Sequence, residues 1–258
     1  MDLGLSGKTA LVTGGSKGIG LACGEFLARE GCHVAITSRD RANLDAAAKR
    51  IEGCFVHAAD LTSAEDATRM IDAVEREIGP IDILVNSAGA AKRTPPDDLD
   101  PSAWRAAMDA KFFTYIHAID PLIKRMAARA SGVIVNVIGN GGKVASPTHI
   151  AGGAANAALM LATAGLASAY ASRGVRVVGV NPGLTNTDRV AEGLRAEARL
   201  SGISSEEALK RALARIPLGR MAEPEEIARL VCFLASAQAS YVSGVTITMD
   251  GVTTPIIV

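Results

Sequence analysis

Neither sign of charge is in excess in this 258-residue chain: Lys and Arg together number 27, as do Asp and Glu, and like charges form no run. A nucleic-acid or membrane-surface partner would call for such a field, so the expected partner is a small molecule, with no nucleic acid and no membrane. Cysteine is scarce as well. Cys23, Cys32, Cys54 and Cys232 show neither CxxC nor Cys/His ligand spacing, which excludes a disulfide framework and leaves them as apolar fillers in a reducing compartment. Glu192, Glu197, Glu206 and Glu207 form no spaced set with histidine, so no metal is expected. The chain opens directly on structure, without a charged-then-apolar leader, and no apolar stretch reaches the roughly 18 residues of a membrane span. These absences together give the expectation of a soluble, cytoplasmic protein.

What the chain has is 48% hydrophobic residues, enough for one large core, and an alternation of strand-like and helix-like segments from end to end. Apolar β-rich runs fall at Thr9–Thr13, His33–Thr37, Cys54–Ala58, Ile81–Asn86, Val133–Val137, Val175–Val180 and Thr246–Met249. Helical periodicities fall at Ile19–Arg29, Ala42–Ile51, Ala64–Ile78 and Ser102–Ala130, closed by Gly31, Gly53, Gly79 and Gly132. An alanine-rich helix is expected over Ala151–Ser172. The pattern predicts an α/β fold in a single domain over 1–258: a doubly wound, seven-stranded parallel sheet with helices on both faces. Polar, helix-prone residues from about 188 to 216 are placed to form a lid over a cleft.

The first strand runs into Thr13-Gly14-Gly15-Ser16-Lys17-Gly18-Ile19-Gly20. Gly14 permits a tight turn, the central glycines let backbone approach a pyrophosphate, and the helix from Gly18 presents unpaired N–H groups to negative charge. After the second strand stand Ser38 and Arg39 instead of the acidic residue that would accept bonds from the ribose hydroxyls of NAD. Arg39 together with Lys17 points to a 2′-phosphate, hence NADP(H) in preference to NAD(H).

This glycine spacing resembles the cofactor loop of the short-chain dehydrogenase/reductase family. The resemblance runs from about residue 5 to 251. Asp60-Leu61 resembles the family's adenine-contacting pair, and Asn86-Ser87-Ala88-Gly89 its turn after the fourth strand. Asn181-Pro182-Gly183 with Thr185 and Thr187 resembles the segment beside the nicotinamide. Pro217-Leu218-Gly219-Arg220, Pro224-Glu225-Glu226 and the closing Ser243-Gly244 to Asp250-Gly251 also match. The resemblance therefore implies cofactor contacts from Gly14, Ser16, Lys17, Gly18, Ile19, Gly20, Ser38, Arg39, Asp60, Leu61, Asn86, Ala88, Gly89, Pro182, Gly183, Thr185 and Thr187, and a homo-oligomer, dimer or tetramer.

The family's catalytic residues have no such match. With Ala157-Ala158-Leu159 aligned to the stretch after the family lysine, the lysine position falls on Asn156, the tyrosine on Gly152, the serine on Gly139 and the helix asparagine on Lys111. Tyr115, Tyr170 and Tyr241 are the only tyrosines, and none has a lysine four residues on. Gly152 and Asn156 carry no titratable proton. Two residues are expected to take over: Lys111, projecting toward the floor of the vacated site, and His149, on the loop that lines the family's substrate pocket. Lys143, Ser146 and Asn140 share that loop, whereas His33, His57 and His117 read as structural and Trp104 as core or subunit packing. Three readings follow: an atypical NADP(H) oxidoreductase, a silent nucleotide-binding sensor or partner subunit, and a non-redox lyase or isomerase using Lys111 or His149.

Overall fold

A computed structural model describes residues 1–89 and 91–256, the side chains of Ala196 and Leu200 excepted. Seven strands, β1 (Thr9–Thr13), β2 (His33–Ser38), β3 (Phe55–Ala58), β4 (Ile83–Asn86), β5 (Gly132–Val137), β6 (Val175–Pro182) and β7 (Thr246–Met249), form one parallel sheet in the order β3-β2-β1-β4-β5-β6-β7. The central strands read Ala-Leu-Val, Ile-Leu-Val and Val-Ile-Val because helices bury both faces of the sheet. On one face α1 (Gly18–Arg29) and α9 (Pro224–Ala235) pack with α2 (Arg41–Ala48) over Val12, Ile36, Val85 and Val135. On the other, α3 (Ala64–Ile78), α5 (Thr114–Ala128) and α6 (Ile150–Tyr170) cover Leu11, Leu84, Ile134 and Val177. The helix starts are chemically marked. Asp40 and Ser63 cap α2 and α3, and a Glu223/Glu226 capping box opens α9.

The expected seven-stranded doubly wound sheet is present, and three local expectations need correction. The single helix over Ser102–Ala130 is broken into α4 (Pro101–Ala107), a π-helical turn at Met108–Phe113, and α5. Two contacts accompany the turn, one local and one not: the Thr114 hydroxyl donates to the Lys111 carbonyl at 2.9 Å, and the backbone at Gly89 approaches the Ala110 carbonyl so closely that a Cβ there would meet it at 2.3 Å. An apolar stretch long enough to cross a membrane does exist. The helical run Ile150–Arg173 qualifies by length and hydropathy, because alanine and leucine dominate a helix whose inner side packs on β6. Trp104, finally, is exposed and takes no part in the core.

The lid segment forms α7 (Asp188–Leu200) and α8 (Ser205–Leu213), capped by Thr187 and Ser204. Among the described residues, the buried side chains of the two helices are the small Ala198 and Ala208.

One buried polar chain crosses the middle of the sheet. Thr13 on β1 donates to Asn86 on β4 at 3.3 Å, Asn86 donates to Asn136 on β5 at 3.0 Å, and Asn136 donates to Thr163 on α6 at 3.0 Å; Thr163 in turn donates to the Leu159 carbonyl at 2.8 Å. All four side chains are buried. Replacing Thr163 with valine keeps the shape and removes the acceptor of the Asn136 amide. A buried donor left unpaired costs about 1–3 kcal/mol, so Thr163→Val is expected to lower the unfolding free energy in a urea titration by that amount. An unchanged midpoint and slope would mean that this chain of bonds does not hold α6 to the sheet.

Candidate functional site

Parallel strands end together, and the connections leave β1 and β4 toward opposite faces of the sheet. A crevice opens outside their carboxyl ends. There a cleft of about 300 Å³ is lined by Gly14, Thr37, Ser38, Arg39, Ala59, Asp60, Leu61, Thr62, Ser87, Ala88, Gly89, Ala110, Thr114 and Arg189. A larger hollow of about 560 Å³ lies at the amino-terminal edge between Lys8, Asp82, Arg176 and Tyr241. That hollow lies at the amino-terminal ends of the strands, away from the glycine loop, so the smaller cleft at the carboxyl ends is the candidate site.

The glycine loop builds one wall by close backbone approach. Gly14 has φ +66°, and a Cβ on it would sit 2.8 Å from the Ala88 backbone; a Cβ on Gly20 would sit 2.2 Å from the Gly14 carbonyl. The β1 and β4 turns therefore meet through bare backbone. Lys17 precedes α1 with an extended backbone and contributes no side-chain cap, which leaves the first N–H groups of the helix facing the cleft end of β1. A pyrophosphate fits such an arrangement: free amides, a helix dipole and no side chain in the way.

Of the residues expected at the cofactor, Gly14, Ser38, Arg39, Asp60, Leu61, Ala88 and Gly89 line the cleft. Ser16, Lys17, Gly18, Ile19 and Gly20 make the loop and helix start beside it. Asn86 differs, because its side chain is fully buried between Thr13 and Asn136 and holds the turn in place. Thr187 caps α7, its methyl group 3.2 Å from where a Gly18 Cβ would be, so the lid starts against the glycine loop. Pro182 ends β6, Gly183 donates to the Met249 carbonyl, and Thr185 bridges to Ala222. These three brace the far wall.

Gly139, Gly152 and Asn156 are not among the residues that line this cleft; they gather where the loop after β5 meets the start of α6, a Cβ on Gly139 lying 3.5 Å from the Asn156 amide nitrogen. The imidazole of His149 lies over Gly152, so that a Cβ on that glycine would meet ring atoms at 2.1, 2.6 and 2.7 Å. His149 thus fills the volume into which any side chain at position 152 would grow. Its Nδ1 is buried without a hydrogen-bond partner, as is the amide oxygen of Asn156. Burial, and then the positive charges of Arg93, Arg189 and Lys111, hold the His149 imidazolium below its ordinary 6.5. Gly139, at φ +119°, turns the chain so that Gly141 lies under the same ring. Asn140 fixes this turn by donating to Asp250 and Thr254, both at 2.7 Å.

Lys111 enters from the π-helical turn. Its ammonium donates to the Tyr115 hydroxyl at 2.8 Å and to the Val137 carbonyl at 3.3 Å, and the Tyr115 hydroxyl donates to the same carbonyl. It therefore sits below the end of β5, two residues before Gly139. Desolvation, helped by the nearby Arg189 charge, brings its pKa down to about 7. His117 stands apart, with Nδ1 2.9 Å from the Leu61 carbonyl. Sequence reasoning did not single out Arg93, Arg189, Asn136, Thr163 or Asp250; an arginine in a loop carries no periodic signal, and only the folded loops bring these residues together.

Comparison with known proteins agrees with this geometry. Residues 14–253 match the family described as enoyl-(acyl carrier protein) reductase. The chain is 36% identical over 251 residues to 2-(S)-hydroxypropyl-CoM dehydrogenase 3 of Xanthobacter autotrophicus, covering 96% of both chains. It is 33% identical to acetoacetyl-CoA reductase of Shinella zoogloeoides, over 95% of this chain and 97% of that one. Among solved structures, an actinorhodin polyketide ketoreductase with NADPH superposes with a TM-score of 0.92 at 27% identity, covering 95% and 96% of the two chains. L-sorbose reductase of Gluconobacter frateurii with NADPH and L-sorbose gives 0.90 at 28%, covering 97% and 98%. This chain belongs to the short-chain dehydrogenase/reductase family of oxidoreductases.

The contact between His149 and Gly152 makes a direct test. In Gly152→Ala the new methyl group must displace the imidazole, and the ring should move into solvent. The His149 titration followed by NMR is then expected to shift up toward 6.5, with folding retained. A ring that titrates as in the parent protein would show that the two residues do not touch.

Proposed function

We propose that this chain is an NADP(H)-dependent oxidoreductase that works without a Tyr-x-x-x-Lys pair, with His149 handling the substrate proton and Lys111 supplying positive charge beneath the site. The observation that carries the proposal is the imidazole seated over Gly152, with a buried Nδ1 that no structural hydrogen bond engages. When bound, the dinucleotide supplies or accepts the hydride. The chain's own part is to hold the phosphates, orient the substrate oxygen and move one proton. Arg39 supports the NADP(H) preference: it is exposed at the end of β2, and among the described residues no carboxylate lies within 4.0 Å of it.

His149 transfers the proton in either direction. Protonated, it gives a proton to an alkoxide forming on a reduced carbonyl; neutral, it takes one from an alcohol being oxidised. Its lowered pKa keeps it mostly neutral at pH 7, which favours the oxidative direction there. Lys111 needs no proton transfer of its own in this scheme; its partly charged ammonium lies under the site where the oxygen becomes negative.

A second reading, the silent nucleotide-binding sensor or partner subunit, is favoured by one fact. Lys111 is already committed to Tyr115 and Val137, so part of the cationic equipment is structural. Turnover separates the two readings. With saturating NADPH across a panel of carbonyl compounds, the enzyme reading expects a rate that His149→Ala lowers by about 100- to 10,000-fold at unchanged cofactor affinity. The reductive rate should rise as pH falls below 6.5, the proton donor being a histidine held below its ordinary value. Absence of any turnover, or a rate indifferent to His149→Ala, would leave the silent binder.

The cofactor preference has its own test, a fluorescence titration needing no substrate. NADPH is expected to bind more tightly than NADH, and Arg39→Asp to weaken NADPH by about tenfold or more while leaving NADH nearly unchanged. Equal affinities in the parent protein would defeat the 2′-phosphate assignment.

A further inference from the structure

The end of the cleft around His149 is cationic beyond what a dinucleotide needs. Arg93, on the segment after β4, donates to the Thr148 hydroxyl at 3.4 Å, and the Thr94 amide donates to the Thr148 carbonyl at 3.0 Å. Those bonds strap Arg93 to the residue preceding His149. From the opposite wall Arg189, in the first turn of α7, reaches the cleft beside Ala110 and Thr114, the residues flanking Lys111. Arg93, Arg189 and Lys111 all bear on the His149 ring, and Arg189 also bears on Lys111.

No carboxylate answers them. Among the described residues none lies within 4.0 Å of Arg93, Arg189 or Lys111, although Arg41, Arg50, Arg69, Arg125, Arg129, Arg211 and Arg220 all have acidic partners. In a chain with equal numbers of acids and bases, three like charges around one ring are not a by-product of overall basicity. They repel one another, and an arginine in the first turn of α7 also opposes that helix's dipole. An anion entering the cleft removes both penalties. Two buried polar atoms also lack a partner and suit a polar guest: the amide oxygen of Asn156, a residue more than nine-tenths buried, and the Nδ1 of His149.

We infer that the substrate is a small oxo- or hydroxy-acid, its carboxylate held between Arg93 and Arg189 and its reacting oxygen directed to His149. This rests on the oxidoreductase reading for the reaction, though not for the binding. The phosphates of the dinucleotide do not account for Arg93 and His149, which lie outside the cleft that Gly14, Ser38 and Arg39 line, whereas Arg189 lines that cleft and stands between the two. The reaction balances as hydride from the reduced dinucleotide to the carbonyl carbon and one proton, through His149, to the carbonyl oxygen. Its reverse oxidises the hydroxy-acid.

The test is equilibrium binding, with no turnover required. Calorimetric titrations of the full chain loaded with oxidised NADP, which has no hydride to give an oxo-acid, with 2-oxobutanoate and with 4-oxopentanoate, each against its methyl ester, are expected to give at least tenfold tighter binding of one acid than of its ester. In Arg93→Gln that preference should disappear with NADPH affinity unchanged, and Arg93→Lys should restore part of it. Thermal unfolding of each variant shows that it remains folded. Acid binding should also raise the His149 titration midpoint in NMR, since an added negative charge favours the imidazolium. Equal affinity for acids and esters, or an acid preference that survives both Arg93→Gln and Arg189→Gln, would overturn the inference. So would a loss of NADPH affinity in Arg93→Gln, because the arginine would then serve the cofactor. If the parent chain failed to bind NADPH, the cofactor reading alone would fall, and the same acid and ester titrations on the unloaded chain would still decide whether an anion site exists.

Discussion

Everything in the cleft hangs on the buried polar chain from Thr13 through Asn86 and Asn136 to Thr163. A parallel sheet fixes its strands by backbone bonds, but it does not fix where a helix lying across one face sits along the strands. Apolar packing alone tolerates sliding of an alanine-rich helix, because small side chains give shallow ridges. The bond from Asn136 to Thr163 removes that freedom for α6. Since Gly152, Asn156 and the His149 cap belong to α6, the chain of amides and hydroxyls sets their distance from the strand ends. The Thr13 hydroxyl also accepts from the Ser87 and Ala88 amides at 3.2 and 3.3 Å, so one network positions the glycine loop, the β4 turn and the start of α6 together. A half-satisfied version would be worse than none, which is why each member has its partner.

Much of this was legible in the sequence, and the physical reason is locality. The sheet could be read because each central strand is an apolar run and most helices close on a glycine; the observed ends differ by a few residues at most, as at α2, which stops at Ala48. The glycine loop could be read because its function resides in backbone, so Gly14 and Gly20 carry the signal themselves. The π-helical turn could not. It is accompanied by the close approach of Gly89 to the Ala110 carbonyl, a contact between residues far apart in the chain. Arg93 and Arg189 were invisible for the same reason, being single arginines in polar segments that only the folded loops bring to one ring. Asn86 carries a second role that its motif resemblance did not signal: its buried side chain belongs to the framework.

Close packing leaves no hole over Gly152: the space beside it is taken by a neighbour, and here the neighbour is a titratable ring. Gly152 and Gly141 supply the flat ground on which the imidazole lies, since a Cβ on either would crowd it. Lys111 comes from the π-helical turn, where Tyr115, four residues on, places its hydroxyl beside the ammonium under the Val137 carbonyl. An oxygen pair is what a desolvated ammonium needs, yet neither oxygen carries a formal charge, so the pKa stays near 7.

The ammonium and the imidazole are electrostatically linked in one direction. Burial and the Arg189 charge loosen the hold of Lys111 on its proton, while burial and the charges of Arg93, Arg189 and Lys111 loosen that of His149. Under the proposed function, an incoming anion would offset the positive potential around the imidazole and draw a proton onto it, so that binding and protonation would be one linked event. The groups concerned come from the segment after β4, the π-helical turn, the start of α6 and the start of α7, so the electrostatics of the His149 ring depend on four separate parts of the chain.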